Sequence, residues 1–173
     1  GATPELLVRR ERGLATSRVL AGTIRRHGEQ SDEVALAPAL AESSKDLAEH
    51  EYAVASVADA LAPSCSGVNG PDHPHVLKLP NVRHLASDVA GGCDRGDDAA
   101  GRGASALALA AALHPSAAVC GTPTVSALGL IRAREQLDRG RYAGPVGWID
   151  SSGDGEWGIA LRCGRVSGRT VQV

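Results

Sequence analysis

The sequence predicts an α+β fold built on antiparallel sheet. Candidate strands come in adjacent pairs joined by short turns. Helical stretches lie between those pairs, and no regular βαβ alternation runs through the chain. A length of 173 residues suits one domain or most of one, and 43% hydrophobic composition can fill a core. That core has to be aliphatic, because the aromatics are Tyr52, Tyr142, Trp148 and Trp157 and there is no Phe or Met.

Leu6–Arg10 and Leu14–Leu20 read as strands around the turn Glu11-Arg12-Gly13, and the small residues Ala21-Gly22-Thr23 end the hairpin. A polar loop follows from His27 to Asp32. From about Glu33 to Leu61 the pattern is helical, as two helices bent or broken near Pro38. In the second, Leu47, His50, Val54, Val57, Ala58 and Leu61 recur at helical spacing and predict the buried stripe. Glu42, Lys45, Asp46 and Glu49 form a polar stripe on the other face, and Pro63 stops the helix.

His75–Leu79 and Val82–Val89 read as strands flanking Pro80-Asn81, followed by a Gly/Asp-rich loop over Gly91–Gly103. Ser105–Leu113 is a short Ala/Leu helix ended by His114-Pro115. Thr122-Pro123 supplies an N-cap and a first-position proline for a helix reaching about Leu137. Tyr142–Asp150 and Trp157–Val166 read as a hairpin about a Ser151–Glu156 turn. In the returning strand Trp157, Ile159, Leu161 and Cys163 point one way, and Gly158, Ala160, Arg162 and Gly164 the other.

Composition excludes several classes. A net charge of −2 and the lack of a basic stripe with interleaved aromatics argue against a nucleic-acid partner. No apolar run approaches the ~18–20 residues of a membrane span, and no segment reads as a signal peptide. Cys65, Cys93, Cys120 and Cys163 lie far apart without a CxxC pair, so neither a zinc site nor a disulfide framework is indicated. Reduced thiols in a cytoplasmic protein are the expectation.

The candidate chemistry each has a plain alternative. The Glu42–Glu49 stripe is either a solvated, salt-bridged helix face or part of a hard-cation site, to which one helix can give one or two carboxylates. Arg162 among small residues is either an edge-strand cation or a clamp for a carboxylate. His84 and His114 are either buried, satisfied imidazoles or catalytic groups. Asp94–Asp98 and the SSGDGE stretch read as loop and turn, and nucleophile-elbow and phosphate-loop patterns are absent. The residues alone describe an α+β domain with the makings of an anion-binding enzyme.

Several blocks go further. GATPELLVRR (Gly1–Arg10), VLAGTIRR (Val19–Arg26), SSKDLAEHE (Ser43–Glu51), LPNVRHLASDV (Leu79–Val89), LHPSAAVCGTP (Leu113–Pro123) and the Asp138–Cys163 stretch resemble, in order, the chorismate-utilising enzymes: isochorismate, salicylate, anthranilate and aminodeoxychorismate synthases. Within that family, Leu20 before Ala21-Gly22-Thr23 resembles the members whose nucleophile is water. Tyr52–Ala60 lacks the Arg-Asn-Asp of the ammonia users, and the Trp148/Trp157 hairpin is most similar to isochorismate synthases. Val19 in place of the usual proline, Arg83 beside His84 and the long Gly91–Gly103 loop depart from the pattern.

The resemblance implies a chorismate-binding fold like that of anthranilate and isochorismate synthases, with helices wrapped around large antiparallel sheets. It implies Mg2+-dependent isomerisation of chorismate to isochorismate, feeding menaquinone or siderophore synthesis, in a monomeric protein with no nucleic-acid or membrane partner. Salicylate synthesis, or a catalytically incomplete paralogue, are the alternatives. By match to the family motifs, Glu5 is the general acid, Glu49 a magnesium ligand, and Arg162 the clamp on the pyruvyl carboxylate, assisted by Tyr142. Gly22 and Ala118 line the ring and His84 lies over the substrate. The family's lysine base belongs upstream of the TPE motif, and a second metal glutamate and a substrate lysine belong downstream of Val173. Residues 1–173 are therefore expected to be a partial catalytic domain, truncated at both ends and inactive alone.

Overall fold

A computed structural model describes residues 5–25, 43–93 and 103–173. The His27–Asp32 loop, the helix expected from Glu33, the stripe residue Glu42 and the loop over 94–102 lie outside the described residues. The elements are β1 (Leu6–Glu11), β2 (Leu14–Arg25), α1 (Ser44–Leu61), β3 (Ser66–Asn69), β4 (His75–Lys78), β5 (Val82–Gly92), α2 (Ala106–Leu113), α3 (Thr124–Arg134), β6 (Pro145–Ile149), β7 (Gly155–Ile159), β8 (Arg165–Ser167) and β9 (Thr170–Gln172). The main sheet runs β3-β5-β2-β1-β7-β6, with β4 paired to β5 beside β3, while β8 and β9 form a separate ribbon. All pairings are antiparallel, as the α+β reading requires.

The helices form where the sequence caps them. The Ser43 side chain accepts the Asp46 N–H at 3.3 Å, and α1 then buries His50, Ala53, Val57 and Leu61 against β2 and β5. Ser105 caps α2 by accepting the Ala108 N–H at 3.2 Å. At α3, Pro123 is itself the N-cap residue, and the helix ends at Arg134, short of the expected Leu137. The chain leaves helical geometry at Glu135, where the Arg139 guanidinium takes up the Glu135 carboxylate and reaches Val119 O at 3.4 Å. The core is aliphatic: Val8, Ala15, Val57, Leu61, Val89, Leu109 and Ile159 pack together, with Trp157 at its margin. Among the described residues, no helix is long and apolar enough to cross a membrane.

Three expectations are corrected. β2 continues to Arg25 because Ala21-Gly22-Thr23 is a bulge inside the strand. Ala21 opposes Leu85 and Thr23 opposes the next residue, His84, so Gly22 is the extra residue, at φ +80. The returning strand of the last hairpin stops at Ile159, not Val166. The Leu161 N–H closes a tight turn on Ile159 O at 2.8 Å, and Arg162 adopts φ +46, so the predicted alternation of faces ends before Arg162. Its partner β6 starts at Pro145, leaving Tyr142 in the preceding turn. Finally, Cys65 and Cys93 are disulfide-bonded, with Cα atoms 4.6 Å apart, whereas Cys120 and Cys163 are free. Spacing along the chain hid this pair. β3 sets Ser66 opposite Gly92, which brings Cys65 opposite Cys93.

Candidate functional site

Two strand ends and the bulge converge. Glu5 immediately precedes β1, where its carbonyl accepts the Ile159 N–H at 3.4 Å. Burial raises its carboxyl pKa above the ordinary value, and the positive Arg162 opposes that rise. Arg162 also acts on His84, the third residue of β5, whose pKa is lowered first by burial; the Gly22 backbone opposes that shift and Arg162 adds to it. His84 is 4% exposed. Its Nδ1 shares a 2.8 Å hydrogen bond with Thr23 Oγ1, and its buried Nε2 meets no hydrogen-bond partner among the described residues. His84 is therefore neutral near pH 7 and only half satisfied, unlike a purely structural core histidine. The structure thus groups Glu5, Gly22, His84 and Arg162. A carboxyl whose pKa is raised by burial, a permanent cation and a buried imidazole together suit proton donation beside a carboxylate-bearing ligand.

Ala118 is exposed, and with Glu5, Ser17, Val57, Ser116 and Ile159 it lines a small cavity of about 20 Å³. Such a space admits one water-sized sphere and no ring.

The family model described as "Chorismate binding enzyme" matches residues 1–173. The chain belongs to this family. It is 40% identical over 173 residues to the isochorismate synthase DhbC of Bacillus subtilis, covering 100% of the chain and 42% of that protein. Over 162 residues it is 42% identical to the salicylate biosynthesis isochorismate synthase of Pseudomonas aeruginosa, covering 94% of the chain and 33% of that protein. Among solved structures, the menaquinone-specific isochorismate synthase MenF of Escherichia coli superposes with a TM-score of 0.85 at 27% identity, covering 99% of the chain and 38% of MenF. Component I of anthranilate synthase from Streptococcus pneumoniae superposes at 0.78 and 28% identity, covering 94% of the chain and 34% of its own. The chain thus spans less than half the length of these relatives, and its fold is that of the chorismate-binding family.

The remaining family-motif residues are placed differently. Glu49 lies on the exposed side of α1, with Lys45 Nζ 3.6 Å from its carboxylate. Among the described residues no group of three or more His, Cys, Asp or Glu side chains gathers as a metal cage. A solvent-facing carboxylate of this kind would suit a Mg2+ ion that keeps most of its waters, and not a caged ion. Tyr142 is 48% exposed, and its ring centroid lies 5.9 Å from the Arg139 guanidinium carbon. Nothing in the sequence marks Thr23 as the partner of His84. His50 reads in the sequence as an ordinary member of the apolar stripe. His50 is 2% exposed; its Nε2 lies 2.8 Å from Ser87 Oγ and its Nδ1 3.3 Å from Ala21 O. A histidine within an otherwise apolar helical stripe was the available signal.

Proposed function

We propose that this chain is part of the catalytic domain of an isochorismate synthase. The observation that carries the reading is the raised pKa of Glu5 beside Arg162, in a chain related over its whole length to isochorismate synthases. In the reaction, water oxygen bonds to one carbon of the chorismate ring while the C–O bond to a ring hydroxyl breaks at another. Glu5 gives its proton to the departing oxygen, and the attacking water loses a proton to a base, for which the family resemblance supplies a lysine upstream of the TPE motif. Protons in and out balance, and the product is an isomer. Arg162 pairs with the pyruvyl carboxylate through its planar fork, with Tyr142 assisting. Gly22 and Ala118 bring backbone and a small side chain against the ring. The neutral His84 faces the substrate with Nε2. Glu49 would hold magnesium, which would supply charge neutralisation for the ring carboxylate.

The test uses the full-length protein, chorismate and Mg2+, with products separated by chromatography. Isochorismate that disappears by about 10²–10⁴-fold in Glu5→Gln supports the assignment. Salicylate with pyruvate release would replace it by salicylate synthesis. Unchanged Mg2+ dependence in Glu49→Ala would remove the metal role.

A further inference from the structure

We propose that His50 is a positioning residue that sets the cation affinity of Glu49 by locking α1 onto the Gly22 bulge. The inference rests on the metal role proposed for Glu49. The Ala21 carbonyl can only accept, so His50 Nδ1 carries the proton and donates to it at 3.3 Å. Nε2 is then a bare acceptor and takes the Ser87 hydroxyl proton at 2.8 Å. One imidazole thereby ties α1 to β2 at Ala21, beside the bulge, and to β5 at Ser87, which pairs with Val19, in a place 2% exposed where water cannot substitute.

The other buried residues of the α1 face, Ala53, Val57 and Leu61, make nondirectional contacts that tolerate small rotations of the helix. The two hydrogen bonds of His50 do not. Glu49 is the adjacent residue and turns with it. At the roughly 5–6 Å radius of a helix with its side chains, a rotation of about 10° carries its carboxylate about 1 Å. Outer contacts that orient a ligand in this way are typically worth about 10–100-fold in metal affinity. Ser87 contributes through His50 and has a smaller share.

The experiment measures Mn2+ binding to the full-length protein by electron paramagnetic resonance, alongside kcat and KM for chorismate across Mg2+ concentrations. His50→Leu keeps apolar volume and removes both bonds. It is expected to weaken Mn2+ binding by about 10–100-fold, with kcat recovering at high Mg2+. His50→Asn, which can restore the donor to Ala21, is expected to recover part of the loss, and Ser87→Ala to lose a few-fold. Val57→Ala, a destabilising change on the same helix face, is the control and leaves Mn2+ affinity unchanged. If His50→Leu does not fold, Ser87→Ala and His50→Asn carry the test. Mn2+ affinities in the His50 and Ser87 variants equal to the wild type, with only thermal stability reduced, would overturn the inference while leaving the metal site standing. A wild-type protein that binds no Mn2+ would instead overturn the metal role of Glu49, and this inference with it.

Discussion

Asp154 is predicted to hold the last hairpin to the first, and its loss should cost far more than that of a surface carboxylate. Arg10 lies within the core, its side chain 8% exposed, and its NH1 is paired with the Asp154 carboxylate, itself 19% exposed. The second oxygen of Asp154 accepts the Arg12 N–H at 2.9 Å across the β1–β2 turn. One residue earlier, the Gly153 carbonyl accepts the Ala106 N–H at 2.8 Å and so fixes the start of α2. Asp154→Ala leaves the guanidinium buried without its counter-charge, and removing one partner of a buried pair typically costs about 3–5 kcal/mol. The residual exposure of Asp154 places the expectation near about 3 kcal/mol. With a urea m-value of about 2 kcal/mol/M, that is a midpoint lowered by about 1.5 M. Asp154→Asn, which keeps an acceptor and loses the charge, should fall between. Arg10→Met with Asp154→Leu should recover most of the loss, because two apolar side chains replace two desolvated charges. Urea unfolding of the full-length protein followed by circular dichroism reads all three variants against the wild type. An Asp154→Ala cost below about 1 kcal/mol, the value of an exposed ion pair, would refute the reasoning, as would a double variant no better than the single one.

Glu5 must be protonated to act as an acid, so activity is expected below its raised pKa and lost as pH rises through it. Arg162→Gln removes the neighbouring charge that lowers that pKa, and carboxyl-carbon NMR of Glu5 should then show titration at higher pH; a downward shift would contradict the grouping. The Cys65–Cys93 bond closes a separation of 28 residues, for which the chain-entropy estimate is about 3.5 kcal/mol. Replacing both cysteines by serine should lower stability by up to that amount and abolish any effect of reductant on the urea midpoint. At Gly147, an added Cβ would overlap the Glu156 carbonyl oxygen and come within 2.7 Å of Trp157 Cα. Backbone cannot yield as a side chain can, so Gly147→Ala should peel β6 from β7, at a cost of about 1–3 kcal/mol or more, visible as faster amide exchange in both strands.

The elements that could be read from the sequence are those whose own residues carry the period. The apolar stripe of α1 placed Val57 and Leu61 in the core, and the short Ala/Leu helix forms over Ala106–Leu113 as its composition predicts. β3 was invisible because Ser66-Gly67-Val68-Asn69 has no alternation of its own and is a strand by virtue of pairing with β5. The disulfide depends on that same pairing. Arg162 was expected on a strand face because Gly158, Ala160 and Gly164 imitate alternation, while the tight turn after Ile159 has no residue signature. At the site, the residue pattern alone singled out Arg162 and His84. Glu5, Gly22 and Ala118 came through family resemblance, since nothing in their local spacing marks them.

The bulge explains why the least legible stretch is also where the site residues gather. Directly opposed residues of an antiparallel pair share a face, and successive residues of β5 alternate faces. Ala21 opposes Leu85 and Thr23 opposes His84, so one inserted glycine puts Ala21 and Thr23 on opposite faces, although two residues apart they would otherwise share one. On the α1 side, His50 takes the Ala21 carbonyl; on the other, His84 takes the Thr23 hydroxyl. Two imidazoles therefore hold the residues on either side of Gly22 from opposite faces of one sheet. A side chain at φ +80 would strain that backbone by about 1–2 kcal/mol. Relieving the strain by removing the bulge would return Thr23 to the α1 face and leave His84 Nδ1 without its partner. The conformational freedom of glycine is needed at this position so that His50 and His84 can hold the residues on either side of it from opposite faces of the sheet.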